Sequence, residues 1–138
     1  MKKLVQTLYL MIFATTLAAC GEKASEKTPE EVVKFTMVEF ISGNPEKAFE
    51  YIDFEHLSSR SGDNIDKLKK QFLDNIRESH KKGTFSEGAE IKIKKTCINY
   101  EDNTATVDTT LINKKDNTEE TNPVKLVKTD QGWKVRFE

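Results

Sequence analysis

The two cysteines of the chain sit in settings that favour different chemistries. Cys20 follows Leu17-Ala18-Ala19 and precedes Gly21, so small residues let extended backbone carry a thiol into an enzyme groove. Cys97 shares parity with Ile91 and Ile93 in an alternating run, which predicts a buried structural thiol. A reactive thiol wants an electropositive, partly exposed setting instead. His56 and His80 lie far apart, without paired thiolates or a His-x-x-x-His spacing, so no metal site is expected. His80 falls in the last turn of a predicted helix, where a cationic or hydrogen-bonding side chain suits the terminal carbonyls. Ser58, Ser59 and Ser61 stand outside any Gly-x-Ser-x-Gly elbow that would expose and activate a nucleophile.

The residues before Cys20 fall into three parts: basic Lys2 and Lys3, an apolar run from Leu8 through Leu17, and small Ala18 and Ala19. That order is the layout of an export signal over residues 1–19. A bilayer-spanning helix needs roughly 20 mostly apolar residues, and the run from Leu8 to Ala19 is shorter and holds Thr15 and Thr16. Leu17-Ala18-Ala19-Cys20-Gly21 resembles the lipobox of bacterial lipoproteins. The resemblance implies that the Cys20 thiol takes a diacylglyceryl group, that cleavage falls just before it, and that the new amino group is acylated with a palmitate-type chain. Two or more acyl chains give stable anchoring where one is marginal. Gly21 rather than Asp after the cysteine implies outer-membrane retention, facing the periplasm or the surface, in a host with two membranes.

Loss of residues 1–19 removes Lys2 and Lys3 and no acid, so the mature chain is more acidic than the whole, whose net charge is −1. No dense basic run interleaved with aromatics occurs, so no nucleic-acid partner is expected. With Cys20 consumed by lipid, Cys97 has no intramolecular partner and the domain must stand on its core. Gly21 to Lys27 is small and charged and reaches at most about 25 Å, and with Cys20 it forms a tether over 20–27. Residues 28–138 are enough for one domain and too few for two.

The elements that must position any site follow from spacing. Thr28-Pro29-Glu30-Glu31 is a capping box ahead of an apolar face through Val32, Val33, Phe35, Met37, Phe40 and Ile41. Ser42-Gly43 stops that helix, and Asn44-Pro45-Glu46 starts a short second one through Ile52. His56 to Gly62 reads as a polar loop. Asp63 or Asn64 caps a third helix with a stripe of Ile65, Leu68, Phe72, Leu73 and Ile76. From Ala89 the period becomes two, with turns at Asp102-Asn103, Lys114 to Asn117 and Asp130-Gln131-Gly132. The apolar parity changes between Ile93 and Ile98, which predicts a bulge near Lys95 or Thr96. Pro123 lacks an amide donor, so its strand begins there or lies at an edge. Two to three N-terminal helices packed on a curved antiparallel four-stranded meander give an α+β class.

The lipobox, the charged tether, the Thr-Pro-Glu-Glu start, Asn-Pro-Glu-Lys-Ala and a closing Gly-Trp-Lys-Val together are similar to small bacterial envelope lipoproteins of unknown function. Those carry a nuclear transport factor 2-like, cystatin-like α+β domain. The resemblance implies a pocket between the helices and the concave sheet. The two apolar stripes place it between the third helix and the meander, near Phe72, Ile76, Val107 and Trp133. Isomerases of the superfamily use a pocket carboxylate opposite a hydrogen-bond donor. Asp108 and Tyr100 are the candidates, but Asp108 alternates with Val107 and should face solvent. The function expected is therefore a lipid-anchored, non-enzymatic accessory or binding module without cofactor. It would engage the membrane through its anchor and an envelope protein or small apolar ligand through its pocket. The rival is an isomerase or dehydratase using the same pocket.

Overall fold

The computed structural model describes residues 26–84 and 88–138. The expected export signal, Cys20 and most of the expected tether lie outside the described residues. The first helix, α1 (Pro29–Ile41), starts as its sequence requires: the Thr28 hydroxyl accepts from the Glu31 amide and the Glu31 carboxylate accepts from the Thr28 amide. Two otherwise orphaned donors are thereby satisfied. Gly43, at φ +80°, turns the chain out of α1, a backbone state that costs glycine nothing. Pro45–Tyr51 then forms a 3-10 helix rather than an α-helix.

Residues 56–62 correct the loop reading. They belong to α2 (Phe54–Ser61), capped by Asp53, whose carboxylate accepts from the His56 amide, and closed by Gly62 at φ +77°. The serines suggested a loop, and the missed signal was a capping aspartate ahead of one short helical turn pair with a glycine at its end. Asn64 rather than Asp63 caps α3 (Ile65–Lys81), its side-chain oxygen accepting from the Lys67 amide at 2.8 Å.

Four antiparallel strands follow in the order β1-β2-β3-β4, with β1 Glu90–Asn99, β2 Thr104–Asn113, β3 Thr118–Thr129 and β4 Gly132–Val135. The first two turns use Asn103 (φ 55°) and Asn117 (φ 56°), the non-glycine type that best tolerates the left-handed region. The α+β class is as the spacing predicts. Pro123 pairs with Asp108 in mid-strand, so β3 does not begin there. Because β4 pairs only with Leu126 to Thr129, the outer side of β3 at Pro123 is an open edge, where a missing donor costs no ladder bond.

The bulge exists and lies one residue earlier than expected. Ile93 pairs with Thr109 and Lys95 with Asp108, leaving Lys94 as the extra residue. Parity inverts there, so Ile91, Ile93, Thr96 and Ile98 face the helices while Cys97 faces outward beside Thr106. Cys97 is exposed, and its expected burial is corrected. Its parity with Ile91 and Ile93 holds only for an unbroken strand, because one inserted residue flips every side chain beyond it. Native protein is expected to react with a thiol reagent as readily as denatured protein. Protection lost only on denaturation would contradict this register.

Two apolar clusters make the core. One joins Val32 and Val33 of α1 to Ala105, Val107, Val124, Leu126 and Val135 of the sheet. The other joins Phe40, Ala48, Ile52 and Phe54, with Ile65, Leu68, Phe72 and Ile76 of α3 packed on it. The helix on the sheet is therefore α1, touching β1, β2 and β4, while α3 rests mainly on α2 and the 3-10 helix. No residue of α3 is fully buried.

Candidate functional site

Where α1 ends, the sheet continues. The tips of β1, β2 and β3 project past Ile41, and their inward residues Ile91, Leu111, Thr109, Asn122 and Val124 form one wall of a cleft whose other wall is Met37, Phe40 and Ile41. The cavity is about 130 Å³, comparable with a core cavity of about 150 Å³ that holds a benzene ring. Its lining is mostly aliphatic and aromatic. The polar members are Thr109, whose hydroxyl donates to the Val107 carbonyl within its own strand, and the rim pair in which Asn122 donates to the Glu120 carboxylate at 2.9 Å. Glu120 is exposed and supplies the cleft's one carboxylate.

A wider trough of about 510 Å³ adjoins the cleft and shares Met37, Asn122 and Val124 with it. It runs along the open edge of β3 beneath Val135 and Phe137, and its rim carries Lys125, Arg136 and Glu138. Lys125 pairs with Glu138 at 2.6 Å, and this ammonium holds the Glu138 carboxyl below the usual range. The Arg136 guanidinium donates through two nitrogens to one oxygen of Asp53, at 2.9 and 3.2 Å. A third depression of about 320 Å³ is ringed by Glu50, Asp53, Glu55, Lys69 and Lys134 over Phe49 and Phe54. Its buried carboxylate, Asp53, is already committed to Arg136 and the α2 cap.

The four residues expected to line one pocket are divided. Phe72 and Ile76 pack in the cluster under α3, and Phe72 meets Phe137 at a ring separation of 5.4 Å. Val107 is fully buried beneath α1, and Trp133 packs at the margin of that same cluster with the Lys128 ammonium 5.9 Å over its ring. The cleft instead gathers inward-facing strand residues, Leu111 and Val124 among them, with the last turns of α1. The missed signal was length: the strands are ten to twelve residues and outrun the helix laid on them.

The remaining candidates stand elsewhere. Asp108 faces outward between Lys95 and Pro123, and Tyr100 is 81% exposed at the β1–β2 turn. His80 reaches across to α1, its Nε2 lying 2.6 Å from the Phe40 carbonyl. A carbonyl can only accept, so that nitrogen carries a proton, and the ring pins the end of α1 where Phe40 lines the cleft. The Thr36 hydroxyl, one turn before Phe40, is buried without a hydrogen-bond partner. Glu30 at the start of α1 takes a hydrogen bond from Thr96 of β1, which holds its carboxyl below the usual range. Burial, then the neighbouring Glu50, raises the Tyr51 phenol. Among the described residues no three His, Cys, Asp or Glu side chains gather as metal ligands, and no helix is long and apolar enough to cross a membrane.

No curated protein matches the chain. A Campylobacter jejuni crystal structure described as a "putative NTF2-like transpeptidase" superimposes with a TM-score of 0.64 at 22% identity, covering 81% of this chain and all of that one. The likeness is one of fold: helices against a four-stranded antiparallel sheet, of the NTF2-like kind. A family model described as a domain of unknown function, DUF4878, matches residues 18–136, and the chain belongs to that family.

Proposed function

We propose that the protein is a lipid-anchored, non-enzymatic binding module of the bacterial cell envelope, held through Cys20 and working through the cleft at the end of α1. The observation that carries the binding reading is the cleft itself, an apolar cavity with no buried titratable side chain in its lining. Catalysis of the isomerase kind needs a carboxylate or histidine shielded from water so that its proton affinity is tuned. Glu120 is solvated at the rim instead. The cleft also lies at the end of α1 remote from the tether, about 18 Å along the helix axis from Pro29 to Ile41.

The test is an uncharged apolar fluorophore, phenylnaphthylamine, whose phenyl ring matches the cleft and whose naphthyl group extends into the adjoining trough, added to the chain from residue 20 onward with Cys20→Ala. Saturable binding is expected, and Leu111→Trp should abolish it with little change in melting temperature, because Leu111 is only half-buried and the indole fills open space. Binding unchanged by that plug, or no binding at all, would contradict the reading.

A further inference from the structure

The cleft and the trough beside it have a shape and a charge distribution that select among ligands. The two cavities share Met37, Asn122 and Val124 as common walls, and a rotamer change of the unbranched Met37 side chain would join them as the narrow and wide ends of one channel. The narrow end is bounded by Met37, Phe40, Ile41, Ile91 and Leu111 and is too small for the drug-sized or steroid-like ligands of ordinary pockets, which need roughly 300 Å³ or more. It suits the end of a flexible chain. Charge is unequal along the channel: the narrow end carries Glu120 at its rim, and the wide end carries two cations, Lys125 and Arg136, to one anion, Glu138.

The two cations at the wide end are not equivalent. Arg136 donates two hydrogen bonds to Asp53, a carboxylate only 10% exposed. Lys125 holds Glu138 in a pair whose members are 51% and 61% exposed, and solvated pairs of that kind are weak. An incoming anion can therefore take the ammonium from Glu138 while Arg136 stays in place.

Resting on the binding reading above, we propose that the channel binds a single unbranched hydrocarbon chain bearing an anionic head. The terminal carbons lie between Ile41 and Leu111, and the head sits beside Lys125, away from Glu120. A free fatty acid and a lysophospholipid share this chemistry.

The experiment uses the chain from residue 20 onward with Cys20→Ala, which contains both core clusters and removes any acyl group of its own. It is purified without detergent, and displacement of dansyl-undecanoate is followed by fluorescence. Laurate should displace the probe, and dodecyltrimethylammonium, with the same chain and opposite charge, should need about fivefold more. Lauroyl-lysophosphatidylglycerol distinguishes the sources: displacement matching laurate assigns a phospholipid head as well, and displacement by laurate alone assigns a free acid. Lys125→Glu should erase or invert the preference for the anion. Leu111→Trp, or Met37→Trp from the opposite wall should the first misfold, should abolish binding of every chain. Equal displacement by anion and cation, unaffected by Lys125→Glu, overturns the inference. If phenylnaphthylamine still binds wild type and not Leu111→Trp in that case, the binding module survives while its ligand class falls. Failure of both probes removes both.

Discussion

Asp53→Ala is expected to lower stability by about 3 kcal/mol, or roughly 10–15 °C in melting temperature. One carboxylate serves two elements far apart in sequence: one oxygen caps α2 through the His56 amide, and the other receives the Arg136 guanidinium beyond β4. The Asp53 amide also donates to the Val135 carbonyl, so the side chain sits where the helical layer is stitched to the last strand. Loss of a cap costs about 1 kcal/mol. Breaking a buried pair costs roughly 3–5 kcal/mol because it strands a charge, but Arg136 is one-third exposed and recovers part of that from water. Asp53→Asn separates the contributions, since asparagine caps nearly as well and carries no charge. It should lose most of the pair and little of the cap. Urea denaturation of the three proteins checks this, and an Asp53→Ala midpoint within error of wild type would refute the assigned role.

Phe72→Ala is expected to cost about 3 kcal/mol, the lower end for a phenylalanine truncation because the residue is only half-buried. Its ring lies against Phe40 at 5.3 Å, Phe137 at 5.4 Å, Phe54 at 6.1 Å and Phe49 at 6.3 Å. Those partners come from α1, the end of the sheet, α2 and the 3-10 helix, so one side chain ties α3 to four other segments. Hydrogen exchange should report the loss locally: amides of Ile65–Lys81 should open in the variant well before those of β2 and β3. Uniform acceleration across the sheet, or a loss below about 1 kcal/mol, would mean that α3 is held by other contacts.

Apart from the Asp53 cap and Gly62 stop of α2, local chemistry was legible, and tertiary choice was not. The Thr28 capping box, the asparagine turns, the four strands and a parity change near Lys95 all follow from rules acting within a few residues, and each appears. The helix laid on the sheet was misjudged for a physical reason. The Ile65, Leu68, Phe72, Ile76 stripe of α3 contrasts sharply with its charged face, but contrast marks a helix lying on the surface. The helix deepest in the fold, α1, is apolar over a broader face, with Val32, Val33, Thr36 and Phe40 all buried. Phe72, Ile76, Val107 and Trp133 were grouped on that mistaken contact, and the cleft went unseen because it depends on how far three strands outrun one helix. Cys97 was misplaced by a single inserted residue, Lys94, whose presence was expected but whose effect on parity reaches every later residue of β1.

Native mass spectrometry of the protein taken from its own envelope tests at once the proposed anchor at Cys20 and the proposed binding of an apolar species in the cleft. The predicted spectrum is a chain beginning at Cys20 with acyl groups covalently added, accompanied by a noncovalent apolar species that dissociates on collisional activation and is missing from Leu111→Trp. A chain of unmodified mass that retains residues 1–19, with the same bare spectrum for wild type and Leu111→Trp, would contradict it.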